Sequence, residues 1–243
     1  MRLTRIAFLI VVVASAWSGL QPAYAQDIAI PDGVVAKEID PPVPSAIPGS
    51  HDKRVLVMEI FDYACSHCRA FQPMFDKWAM QQADDVDILQ LPYLLGSSLD
   101  SNLQLLSGRA YIALMIMGRN GYPTQSLLAH RQFFDEILPF YQHMTKSDPP
   151  GTYKDMVEFM AAQVAREGMG KDEFKKIFFS HEVDEAVKSI QQAEKSFDVP
   201  GIPAIVVNGK YYVAPDPWDT KTPTDEVYNG MLKLTGQLAA REP

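Results

Sequence analysis

Three stretches of apolar spacing divide the chain. From Val55 to Phe61 every residue is apolar except Glu59, which has the length and composition of a buried strand. Directly after it, Phe71, Met74, Phe75 and Trp78 recur at spacings of three and four, so a helix follows. Pro73 lies inside that helix and is expected to kink it, because its ring meets the carbonyl four residues back. Asp87 to Tyr93 reads as the next strand, ended by Pro92. Strand, helix and strand make one βαβ unit. Ahead of it, Gln26 to Ser50 is rich in proline, with Val34 to Ile39 as a candidate edge strand.

From Leu99 to Phe197 the helical period takes over. Leu99, Leu103, Leu106, Ala110, Ala113 and Met117 mark one face of a helix expected to end before Gly118. Thr124 to Met144 is apolar on more than one side, with Pro139 near its end. Thr152 with Asp155 three residues on resembles a capping box, and Met156, Phe159, Met160 and Val164 continue that helix toward Gly168. Phe174, Ile177 and Phe178 mark a short helix, and Val183, Val187, Ile190 and Phe197 another. The Met and Phe enrichment reads as core packing. A period of two then returns. Ala204–Val207, Asn208-Gly209 and Lys210–Val213 form a hairpin with an Asn-Gly turn. Thr222-Pro223-Thr-Asp225 opens a final helix with proline at its first position, and Tyr228, Met231 and Leu238 can face the sheet. The predicted class is α/β: a small mixed sheet with flanking helices, interrupted by an all-helical insertion.

The N-terminus changes the compartment. Met1-Arg-Leu-Thr-Arg5, an apolar run from Ile6 to Ala16, and Ala23-Tyr24-Ala25 follow the plan of a secretory signal peptide. The run is shorter than the ~20 residues of a membrane span. No cysteine near the cleavage point offers lipid attachment, and the mature chain is expected to start at Gln26. The net charge of −8 becomes −10 once Arg2 and Arg5 are removed, and no Lys/Arg cluster stands out. That balance argues against nucleic acid and anionic membrane surfaces as partners.

The chemistry lies in Cys65-Ser66-His67-Cys68, which holds the only two cysteines. Disulfides persist outside the cytosol, yet two cysteines three apart cannot staple a large fold, so a working pair is expected. Placed after a strand at a helix N-terminus, the first thiolate meets unpaired backbone N–H groups and the positive end of the helix dipole. Both lower its pKa and make it a better nucleophile and leaving group. No metal is expected. A zinc site takes about four ligands, whereas Cys65, Cys68 and His67 supply three, and His51, His130, His143 and His181 are scattered. Arg69 follows the motif, so the C-x-x-C-H of a c-type haem is excluded. A redox-inert peptide-binding protein or chaperone would not need the intact pair.

Cys65-Ser-His-Cys68 after an apolar strand, the helical insertion, and later Gly201-Ile-Pro203-Ala-Ile-Val-Val-Asn-Gly together resemble the DsbA-like thiol:disulfide oxidoreductases of the thioredoxin superfamily. The resemblance covers nearly all of the chain after residue 25. It implies a thioredoxin fold built from 26–94 and 199–243, split by a helical insertion at 95–198, behind a signal peptide at 1–25. By resemblance, Cys65 forms the mixed disulfide with substrate and Cys68 resolves it. Ser66 and His67 tune the couple, with His67 favouring the Cys65 thiolate. Pro203 matches a cis-proline facing the disulfide. Ile202 offers its backbone to an extended substrate. Glu59 matches a buried acid that assists proton movement. No cofactor is implied. The implied partners are reduced or unfolded exported proteins and a reoxidising membrane oxidase of the DsbB type, in the periplasm. The short arm before the first core strand leaves no room for a dimerisation domain, so a monomer is expected. Three departures bear on redox poise: Ser66 stands where many relatives carry proline, the strand at 87–93 has no lysine to pair with the buried acid, and Pro73 is more typical of thioredoxin. A monomeric disulfide reductase or isomerase with a less oxidising couple is the alternative.

Overall fold

The structure, a computed structural model, describes residues 28–43, 55–95, 101–147 and 150–241. The signal segment at 1–25 and His51 lie outside the described residues. Among the described residues five strands form one sheet: β1 (Val34–Glu38), β2 (Val55–Phe61), β3 (Val86–Pro92), β4 (Ala204–Val207) and β5 (Tyr211–Pro215). Their order is β1-β5-β4-β2-β3, with β2 and β3 parallel and the other pairs antiparallel. Helix α1 (Ser66–Ala79) makes the crossover from β2 to β3, and α7 (Thr224–Ala239) follows β5. Among the described residues five helices separate β3 from β4: α2 (Ser101–Arg119), α3 (Pro123–Lys146), α4 (Tyr153–Arg166), α5 (Lys171–Phe178) and α6 (His181–Phe197). Among the described residues no helix is long and apolar enough to cross a membrane.

Strand alternation sets up two cores. Leu56, Met58 and Ile60 of β2, with Ala204, Val206 and Tyr212, pack toward the insertion. Val55 and Val57, with Ile205, Val207 and Val213, pack against Phe71 and Phe75 of α1 and Val227, Tyr228 and Met231 of α7. Glu59 has the parity of Val55 and Val57, which turns it toward the α1 side of the sheet. The seam with the insertion is aromatic. Phe61 lies edge-on to Tyr63, Tyr111 and His130, with ring centroids 5.1–5.4 Å apart. His130 is thus a packed core residue, and its Nδ1 lies 2.6 Å from the Tyr63 hydroxyl. Arg109 of α2 binds Asp184 and the Phe178 carbonyl, each at 2.6 Å, which ties the insertion's helices together.

The predicted elements are all present, with shifted ends. β3 starts and stops one residue earlier than the pattern indicates. α2 runs through Gly118 to Arg119. Pro223 is the N-cap of α7, not its first helical residue. α1 continues through Pro73 because Phe71 and Phe75 anchor its buried face on both sides of the missing N–H. The expected capping box at Thr152 and Asp155 forms, with the Thr152 N–H donating to the Asp155 carboxylate at 2.7 Å.

The hairpin turn also secures the N-terminal arm. Asn208 and Gly209 have φ of 50° and 64°, the left-handed pair of a type I′ turn. The Asn208 Oδ1 accepts the Leu56 N–H at 2.6 Å, and the Gly209 carbonyl accepts the Val43 N–H at 2.9 Å. A Cβ at residue 209 would come within 1.6 Å of the Val43 carbonyl oxygen. Gly209→Ala is therefore expected to cost more than the ~1–2 kcal/mol of the left-handed backbone alone. Urea titration checks this, and an unchanged midpoint would contradict it.

Candidate functional site

The redox pair sits where β2 gives way to α1. A tight turn carries the chain out of the sheet: the Asp62 carbonyl accepts the Cys65 N–H at 3.0 Å and its carboxylate accepts the Ala64 N–H at 2.9 Å. Cys65 is the N-cap of α1, in extended backbone, and its Sγ accepts the Cys68 N–H at 3.3 Å. That is the contact an anionic cap makes with an orphan helix N–H. Cys65 is partly exposed and Cys68 is fully buried; both are free thiols in this structure.

The environments of the two sulfurs push them apart. The Cys65 thiol is lowered to about 7, chiefly by a hydrogen bond from the Cys68 thiol. The backbone N–H groups of Cys68 and His67 add to this, while partial burial and the Asp62 charge oppose it. The Cys68 thiol is pushed well up, first by burial, then by its bond to Cys65 and by the Cys65 and Glu59 charges. A low-pKa exposed thiol beside a high-pKa buried one divides the labour: the first attacks and leaves easily, and the second closes the disulfide.

The second wall comes from the far end of the chain. The Ile202 carbonyl lies 3.9 Å from the Cys65 Sγ, and the Ile202–Pro203 bond is cis. The Tyr212 hydroxyl donates to the Gly201 carbonyl at 3.3 Å, and the Tyr93 hydroxyl to that of Val199 at 3.3 Å, so two tyrosines brace this loop. His67 is exposed on the first turn of α1, and Tyr228 of α7 meets both its Nδ1 (3.3 Å) and its carbonyl (3.1 Å). Ser66 is exposed beside His67. A cleft of about 370 Å³ opens between these elements, lined by His67, Gly201, Ile202, Pro203, Tyr212 and Tyr228.

Beneath the pair, Glu59 is completely buried. Burial raises its carboxyl to about 8, the Asp76 charge adds to this, and the Gln90 amide opposes it. The Gln90 Nε2 donates to the Glu59 Oε2 at 2.6 Å, from the position opposite Glu59 in the β2–β3 register. Among the described residues the buried Glu59 Oε1 has no hydrogen-bond partner. The structure thus gathers Cys65, Cys68, His67, Glu59, Ile202 and Pro203 at one place. Sequence reasoning misses three contributors. Asp62 is visible only as an acid at the end of an apolar strand. Tyr228 and Gln90 carry no signal until α7 and β3 are placed beside the motif. Among the described residues no cluster of three or more metal-ligating side chains occurs.

No family model matches the sequence. The thiol:disulfide interchange protein DsbA of Pseudomonas syringae pv. tomato is 30% identical over 199 residues, which cover 82% of this chain and 80% of that protein. The crystal structure of Pseudomonas aeruginosa DsbA superposes with a TM-score of 0.62 at 25% identity, covering 85% of this chain and 91% of that one. The crystal structure of the oxidoreductase DsbA from Xylella fastidiosa gives a TM-score of 0.64 at 26% identity, covering 85% and 94%.

Proposed function

This chain belongs to the DsbA family of thiol:disulfide interchange proteins, and from that premise we propose that it is a periplasmic dithiol oxidase for exported proteins. The observation that carries the reading is the split between the two thiols: Cys65 partly exposed and lowered to about 7, Cys68 buried and pushed up. In the oxidised protein a substrate thiolate attacks the Cys65 sulfur. The Cys65–Cys68 bond breaks, its electron pair goes to the Cys68 sulfur, and Glu59 supplies a proton there. A second substrate thiolate then attacks the substrate's own sulfur in the mixed disulfide. Cys65 leaves as a thiolate, the substrate is oxidised and the enzyme reduced.

The Ile202 carbonyl beside Cys65 offers an extended peptide a backbone acceptor, and the cleft along Pro203, Tyr212 and Tyr228 offers it apolar walls. A membrane oxidase of the DsbB type completes the cycle by reoxidising the pair, and the protein acts as a monomer. The signal-like N-terminus supports delivery to the periplasm.

The reduction potential of the Cys65–Cys68 couple tests this. Equilibration in glutathione buffers, followed by trapping of free thiols, is expected to give a value more positive than roughly −180 mV, the protein disulfide isomerase range. A value near roughly −270 mV, the thioredoxin range, would make the protein a reductase on the same fold.

A further inference from the structure

A continuous line of hydrogen bonds runs from the surface of the insertion to the acid under the redox pair. Arg131 of α3 donates from Nε to the Asp76 Oδ2 at 2.9 Å. The Asp76 Oδ1 accepts the Gln72 Nε2 at 2.8 Å. The Gln72 Oε1 accepts the Gln90 Nε2 at 3.2 Å, and the same Gln90 nitrogen donates to the Glu59 Oε2 at 2.6 Å. Both amide hydrogens of Gln90 are thereby used, which fixes which way its amide points. The line crosses α3, α1, β3 and β2. Its outer end borders a cleft of about 540 Å³ lined by Arg69, Gln72, Asp76, Arg131 and Asp135, among others.

We propose that Arg131, Asp76, Gln72 and Gln90 are positioning residues that couple the helical insertion to Glu59, and through it to proton transfer at Cys68. The inference rests on the dithiol-exchange reading above and adds residues to it. Amides do not pass the proton. They hold the carboxyl in place, and the charged end sets how readily it gives the proton up. The charged or titratable groups acting on Glu59 are few. From α1 come Asp76 and Cys68, and from α2 comes Tyr111. Its partner on β3 is the neutral Gln90, and its partner on β4 is the apolar Ile205. Asp76 raises the Glu59 carboxyl, and Arg131 offsets part of the Asp76 charge.

Opposite signs follow. Arg131→Met leaves Asp76 unopposed, so Glu59 should hold its proton to higher pH. Asp76→Asn removes the negative charge, so Glu59 should release its proton at lower pH. A merely structural role predicts no such inversion.

The test uses the full mature protein with glutathione as the thiol. Its thiolate sulfur bonds to the Cys65 sulfur and is oxidised. The Cys65–Cys68 bond breaks, Cys68 takes the electron pair and then the Glu59 proton, and Glu59 is left as a carboxylate. Stopped-flow rates per glutathione thiolate should fall on the alkaline side as Glu59 ionises, and the 13C carboxyl titration of Glu59 gives the same midpoint directly. Arg131→Met should raise that midpoint and Asp76→Asn lower it, each by about half a pH unit, or about threefold in rate on the falling limb. Arg166→Met, which breaks a surface ion pair with Glu136 in the insertion, should leave it unmoved. Midpoints that coincide with the parent, or that move the same way in both variants, would overturn the coupling. Failure of the parent itself to exchange with glutathione would instead overturn the oxidase reading, and the coupling with it.

Discussion

Cys65→Ser is expected to leave a folded protein that oxidises no dithiol, while Cys68→Ala is expected to accumulate mixed disulfides with its substrates. The asymmetry follows from where the two sulfurs sit. Only Cys65 reaches solvent and the Ile202 carbonyl, so it alone can bond to an incoming thiol. Cys68, buried behind it, is the protein's own thiol placed to displace a bound partner from Cys65, so without it a partner leaves only when a second substrate thiol reaches the mixed disulfide. The magnitudes show which property matters. Lowering the Cys65 thiol from 9.0 to about 7 raises its thiolate fraction at pH 7 by about fiftyfold. The accompanying loss of intrinsic nucleophilicity, with a Brønsted slope of about 0.4–0.5, takes back about eightfold. Attack by Cys65 therefore gains only modestly, whereas its departure from a mixed disulfide gains without that penalty. The arrangement favours release of oxidised substrate. Dithiol oxidation of a reduced model protein, followed by thiol trapping and non-reducing gels, checks both variants. Sustained full oxidation by either one would refute the assignment.

The parts of the site that are legible in the sequence are those with a local signature. The C-x-x-C follows a seven-residue apolar run and opens a helix with three-and-four spacing, so its place at a helix N-terminus can be read directly. The Asn-Gly turn marks the hairpin, whereas Ile202 and Pro203 are assigned to the site only through the resemblance to the DsbA-like proteins. Glu59 stands out as the one acid in that run, and alternation puts it on the side of α1. What cannot be read depends on long-range packing. Tyr228 meets His67 across 161 residues. Gln90 reaches Glu59 only because β3 pairs parallel to β2 in a register that sets the two side by side. Arg131 touches Asp76 through the docking of an insertion helix, which no periodicity specifies. That β3 carries no lysine is evident in the sequence. What Glu59 meets there, a neutral amide linked through Gln72 to a surface ion pair, requires the assembled sheet.

Glu59→Gln is expected to make the protein more stable at neutral pH while slowing exchange. The carboxyl is raised from 4.5 to about 8, mainly by burial. Between those values the folded protein holds a proton that the unfolded chain has released, so stability falls as pH rises through this window and is flat outside it. At pH 7 the cost is about 3 kcal/mol, because the pH lies about 2.5 above the unfolded value and each pH unit counts for about 1.36 kcal/mol. The amide introduced by the substitution would not titrate and could still accept the Gln90 N–H, so the variant should escape that cost. Its advantage should vanish below about pH 4.5 and reach roughly 6–12 °C in Tm near pH 7. The Cys65 thiol pulls the other way in the reduced protein, adding stability as pH rises from about 7 to 9, but it does so equally in parent and variant. The difference between the two melting curves therefore isolates Glu59. The same substitution removes the acid placed to protonate Cys68 as it leaves, so the rate of mixed-disulfide formation should drop by on the order of 10²-fold. Thermal melts and stopped-flow rates measured on one preparation across pH 4–9 decide the matter: a variant that is both no more stable and no slower would show that Glu59 has neither the raised pKa nor the role assigned to it.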